Sequence, residues 1–157
     1  MGAVTRFLAG SAALALVLGL GQRAAAPSQK GAERGVRQAL IRLNQHLAKR
    51  DLALVDEFMP DHDTLLVGSE LGEVARGPDG LRRHFQALFD RTDTLVFDWR
   101  EVEVSVHGPI AWLHAEGHAV VREAGATEHR RAYRLTGVFA LHHGQWKWRL
   151  FHGSEPA

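Results

Sequence analysis

The sequence predicts an α+β domain in which a curved antiparallel sheet folds over about three N-terminal helices. Apolar residues recur at helical spacing as far as about residue 91 and then switch to strict alternation. Four alternating segments follow, separated by short turns, which makes an antiparallel meander. Within the first of them the parity changes between Trp99 and Val102, so a long strand should bulge or bend there.

Each element has a local reason. Residues 1–26 read as a secretory leader: Arg6 supplies the positive end, Phe7 to Leu20 is a run of small and apolar residues, and Ala24-Ala25-Ala26 offers a cleavage site. A second cleavage site follows Gly21, and an uncleaved anchor is the alternative, for which the apolar run is short. Residues 27–35 are polar and read as a linker, leaving residues 36–157 as the folded domain. Val36, Leu40, Leu43 and Leu47 mark an amphipathic helix. Asp51 should cap a second, short helix carrying Leu54, Val55 and Phe58, and Pro60 stops it. Thr64 to Gly68 reads as a strand, and Gly68 to Gly77 as a hairpin. Gly77-Pro78 opens a third helix along Leu81, Phe85, Leu88 and Phe89. Gly108-Pro109 turns the chain after the bulged strand, and Ile110–Arg122, Arg130–His142 and Trp146–His152 complete the meander.

At 157 residues the chain suits one domain. Outside the leader it holds 17 basic and 18 acidic residues, a net of −1, which gives no electrostatic footprint for nucleic acid. No apolar run after the leader is long enough to span a bilayer, so no stable membrane insertion is expected once the leader is cleaved. The absence of cysteine excludes disulfides, thiolate nucleophiles and zinc-thiolate sites. Phosphate-loop, dinucleotide and nucleophile-elbow fingerprints are missing, and no cofactor is expected.

The meander builds polar rows. On Ile110–Arg122 one face carries Trp112, His114, Glu116 and His118, and the other Ala111, Leu113, Ala115, Gly117 and Ala119. A turn centred on Gly125 sets Glu116 opposite Arg134 and His114 opposite Thr136. A three-residue loop at His143–Gln145 sets Thr136 opposite His152 and Arg134 opposite Ser154. If this face is concave, the rows converge in a pocket walled by Trp99, Trp112, Trp148 and Leu150. The plain alternative is an ion pair with hydrogen-bonded histidines that fix the sheet or sit on its open face. His152, His114 and Glu116 are then the candidate catalytic residues. Arg134, Thr136, Trp99, Trp112, Trp148 and His84, the last on the apolar side of the third helix, are the candidate substrate contacts. His118, nearer its strand's end, is expected in solvent, and His62 with Asp61 and Asp63 reads as a solvated turn. His114-x-Glu116-x-His118 offers metal-ligand spacing that is common by chance, and no metal is expected.

The order of elements, Ala111-Trp112, Arg134-Leu135-Thr136 and the ending His143-Gly144-Gln145-Trp146-Lys147-Trp148-Arg149-Leu150-Phe151-His152-Gly153-Ser154 resemble the SnoaL-like branch of the nuclear transport factor 2-like superfamily. Ketosteroid isomerase and scytalone dehydratase are relatives. The likeness covers about residues 35–155 and implies a cone-shaped fold, a terminal histidine facing the pocket and a homodimer formed through the exposed side of the sheet. It is specific for fold and weak for function. An isomerase of the ketosteroid type uses a carboxylate base with a tyrosine and a protonated acid as oxyanion hole. Tyr133, the single tyrosine, has the parity opposite to Arg134 and so points away from the expected pocket. A dehydratase-like scheme survives better, with His152 or His114 exchanging the proton, Glu116 orienting it and Arg134 holding an anionic or carbonyl group. The expected function is an exported, periplasmic or secreted, small-molecule-binding domain. A small acid/base enzyme and a dimerisation module with a vestigial pocket remain as alternatives.

Overall fold

The computed structural model describes residues 28–123, 125 and 127–156. The leader expected over residues 1–26, together with Pro27, lies outside the described residues. Ser28 starts the first helix: its hydroxyl accepts from the Gly31 N–H, and α1 runs Gln29–Lys49. Residues 29–35 are therefore helix rather than linker. The reason is packing, because Ala32 is already buried and Gly35 lies directly under the Trp146 indole. Asp51 caps a short 3-10 helix, Leu52–Glu57, by accepting from the Ala53 N–H at 2.9 Å. A small hairpin of β1 (Leu65–Val67) and β2 (Val74–Arg76) leads into α2 (Gly77–Phe89), which opens on Gly77-Pro78. Four long strands follow: β3 (Thr94–His107), β4 (Ile110–Arg122), β5 (His129–His142) and β6 (Gln145–Ser154).

The six strands form one mixed, curved and unclosed sheet in the order β2-β1-β6-β5-β4-β3. All neighbours are antiparallel except β1 and β6, which run parallel. Two bulges bend it. In β3 the register shifts between Trp99 and Glu101, as the parity change predicts. Gly117 lies across from that bulge, and a Cβ there would stand 2.1 Å from the Asp98 carbonyl oxygen, so only hydrogen fits. The second bulge leaves Arg149 unpaired between Leu150, opposite Val138, and Trp148, opposite Phe139. It offsets a turn that is one residue shorter than expected, because His142 pairs directly with Gln145. The distal pairs, Thr136 with His152 and Arg134 with Ser154, therefore fall as the sequence predicts.

The core lies between the helices and the inner face of the sheet. Val36, Leu40, Leu43 and Leu47 of α1 and Leu81 and Phe85 of α2 pack against Phe97, Leu113, Leu135, Phe139 and Trp148. Each such side chain contributes roughly 1.5–3 kcal/mol on burial. The free edge of β3 is closed by α1. Asn44 Nδ2 donates to the Phe97 carbonyl (2.8 Å) while its Oδ1 accepts from the Phe97 N–H (2.7 Å), and Arg37 donates to the Val102 carbonyl. Among the described residues no helix is long and apolar enough to cross a membrane.

Candidate functional site

A cavity of about 280 Å³ opens between the helices and the inner face of the sheet, at the end where the β1–β2 hairpin closes over it. Leu43 and Leu47 of α1, Phe85 and Leu88 of α2, and Leu66, Phe97 and Phe151 of the sheet give it apolar walls. Ser69, Glu70 and Glu73 enter from the hairpin, His84 from α2, and Arg131 and Tyr133 from β5.

The polar groups are held by their neighbours. The Glu73 carboxylate folds back against the hairpin: Oε2 accepts from the Glu70 N–H at 3.3 Å and lies tight over Gly68, where a Cβ would meet it. Tyr133 lies across Gly153, and a Cβ at Gly153 would fall 1.8 Å from the phenol oxygen, so the glycine makes room for that ring. Tyr133 is buried. Burial, and then the negative charges of Glu73 and Glu155, raise its pKa well beyond the usual phenol range, with Ser69 opposing the shift, so it remains a neutral hydroxyl. His84 packs edge-on to Phe85, with ring centroids 5.2 Å apart. Burial pushes its pKa below the ordinary value while Glu73 pulls it back. At neutral pH the imidazole is therefore uncharged. At the rim, Arg91 grips Asp93 through two hydrogen bonds and holds that carboxyl below the usual range, and Arg131 lies 3.5 Å from Glu155.

Of the residues nominated from sequence, His84 alone lines this cavity. The cross-strand rows exist, with Glu116 opposite Arg134 and His114 opposite Thr136, but they lie on the outer face. Arg134 Nε donates to Glu116 Oε1 at 3.1 Å, and His114 Nε2 lies 3.3 Å from the same oxygen. His114, Arg134, Thr136 and His152 are exposed, and Trp112 is 49% exposed. The physical reason is burial: Leu113, Ala115, Leu135 and Phe139 share the opposite parity and must face the helices. Trp148 is a core residue with no exposure, 4.2 Å from Phe139 between ring centroids, because the Arg149 bulge turns it inward and leaves Leu150 on the outer side. Trp99 is half-buried in a shallow groove between α1 and β3, stacked on Phe97. His118 is half-buried rather than solvated, and its Nδ1 is shielded. His114, Glu116 and His118 do not assemble a ligand set: among the described residues no three His, Asp or Glu side chains gather as a metal site would need. Asp61 forms the expected turn, accepting from the Asp63 N–H and bonding Arg149.

Tyr133 has the parity the sequence predicts but the opposite direction, since the face away from Arg134 is the inner one. Glu73 gave no signal, because a hairpin shows no periodicity that says which of its acids turns inward. Ala119 of β4 carried the available clue, since a small side chain on the inner face leaves room above it.

A family model described as a SnoaL-like domain matches residues 36–157. The chain belongs to the SnoaL-like domain family. Solved structures agree on the fold. The SnoaL-like chain is similar to a provisionally assigned dehydratase of the NTF2-like family from Streptomyces avermitilis, at 16% identity and TM-score 0.75, over 82% of this chain and 99% of that one. It is similar to an NTF2-like protein of unknown function from Pseudomonas putida KT2440, at 20% identity and TM-score 0.69, over 82% and 90%. A provisionally assigned scytalone dehydratase from Novosphingobium aromaticivorans matches at 13% identity and TM-score 0.69, over 79% and 83%. At these identities the likeness is one of fold. No curated protein matches the SnoaL-like chain.

Proposed function

We propose that this SnoaL-like domain binds a small, partly apolar molecule in the inner cavity, with the polar part of the ligand against Glu73, His84 and Tyr133. The observation that carries the reading is the cavity itself: apolar walls closed by one polar end, where a carboxylate, a neutral imidazole and a phenol share a space of about 280 Å³. The leader-like residues 1–26 support export, so the ligand would be met in the periplasm or outside the cell. A homodimer through the outer face completes the proposal, supported by the half-exposed Trp112 and Ile110 there.

A second reading uses the same groups for catalysis. A neutral imidazole accepts a proton at neutral pH, and a buried phenol stabilises developing negative charge. His84 as base and Tyr133 as hydrogen-bond donor would run a cofactor-independent isomerisation or elimination.

The test is native mass spectrometry of the protein purified gently from an exporting host. A retained ligand of a few hundred daltons is expected on the wild type and on His152→Ala, and its loss is expected on Val121→Trp, which fills the mouth of the cavity. Retention by Val121→Trp together with loss by His152→Ala would move the site to the outer face. If a substrate emerges, His84→Gln should retain binding and lose turnover under the enzymatic reading.

A further inference from the structure

We propose that the inner cavity selects an organic cation, a small molecule carrying a protonated amine on an apolar, preferably aromatic, body. The inference rests on the cavity being the binding site and adds the charge of the ligand. Five carboxylates line the cavity or its rim: Glu70, Glu73, Asp93, Glu123 and Glu155. Two arginines face them, and both are engaged, Arg91 with Asp93 and Arg131 with Glu155. Among the described residues no ion pair engages Glu73. Its field reaches two walls of the cavity, since it shifts both His84 on α2 and Tyr133 on β5 toward their protonated forms.

Of the groups beside Glu73, His84 and Tyr133 add no compensating charge. His84 is uncharged at neutral pH because burial disfavours its imidazolium, and Tyr133 keeps its proton. The polar end is thus a carboxylate beside two neutral hydrogen-bonding groups, with the rings of Phe85 and Tyr133 among the walls. An ammonium group gains from both features: an ion pair in a partly dehydrated site and the negative faces of aromatic rings. A carboxylate or phosphate ligand would set like charges together, which disfavours it. A neutral ligand would shield Glu73 from water without replacing its counter-charge.

Three probes on one scaffold separate these cases: 3-phenylpropylamine, 3-phenylpropanol and 3-phenylpropionate, titrated calorimetrically into the purified protein at neutral pH. The amine should bind about tenfold more tightly than the alcohol, with the acid weakest. Glu73→Gln should weaken the amine far more than the alcohol, so that the ratio of the two affinities falls from about tenfold toward one. Added salt should weaken the amine and spare the alcohol, a readout that does not depend on the variant folding. An alcohol or acid binding the wild type as tightly as the amine overturns the cationic assignment and leaves the cavity as the site. Failure of all three at millimolar concentration overturns the cavity reading and the assignment with it.

Discussion

Tyr133 and Arg134 are adjacent in the chain and face opposite sides of the sheet, one sealed over Gly153 in the cavity, the other in solvent beside Glu116. Alternation along a strand states that two such residues part company; it does not state which goes inside. That is decided by the neighbours sharing each parity, and here Leu113, Leu135 and Phe139 outweigh the chemically richer row of His114, Glu116 and His152. His84 was legible from helical spacing, whereas Glu73 needed the hairpin geometry. His84 also gives a pH signature. Its folded-state pKa lies below the ordinary 6.5, so the unfolded chain takes up the proton more readily. Stability contributed by the neutral ring is complete above 6.5, falls as pH drops below it and levels off beneath the folded value. Thermal melts between about pH 7 and pH 5 should show a falling midpoint for the wild type and a flatter profile for His84→Gln. The carboxylates held low by Arg91, Arg149 or Arg122 lose their contribution only from about pH 5 downward, at the lower edge of that window. Equal slopes for the two proteins would show that His84 is not shielded.

Among the elements, strands and helices follow from periodicity, while irregularities follow only where they disturb it. The β3 bulge announces itself by a parity change. The Arg149 bulge does not, because Trp148 and Leu150 both suit an apolar environment and a three-residue turn explains the same distal register. Likewise the start of α1 was hidden by its polar first turns, although Ser28 provides a cap. The clamp of Asn44 on Phe97 is a device of this scale, since one side chain satisfies both peptide groups of a strand that has no neighbour on that side. Asn44→Ala should leave a part-buried N–H and C=O without partners and cost about 1–3 kcal/mol, measured by urea unfolding. A loss within about 0.5 kcal/mol, the range of ordinary surface changes, would show that water takes over the clamp. The Glu116–Arg134 pair, with both side chains about half exposed, adds little to stability by comparison.

Across the whole molecule, the two faces of the sheet divide the work. The inner face makes the core and the cavity. The outer face carries a continuous apolar row, Leu65–Leu150–Val138–Trp112, each residue paired with the next across four strands. Trp112, 49% exposed, ends that row, and Ile110 lies beside it. Under the homodimer proposal a second copy covers this row, so Trp112→Asp should convert a dimer to a folded monomer in sedimentation velocity, with cavity binding retained. A wild type that is monomeric at micromolar concentration overturns the proposal. The place of β6 has a consequence of another kind. Of the six strands described it is the last to be made, yet it sits between β5 and β1 and among them alone joins the β1–β2 hairpin to the meander. Before β6 leaves the ribosome the hairpin has no strand to join, and Glu73 has no fixed place opposite Tyr133. The cavity therefore closes only once β6 is in place, and a chain interrupted after β5 would be left with a three-stranded meander and no inner chamber.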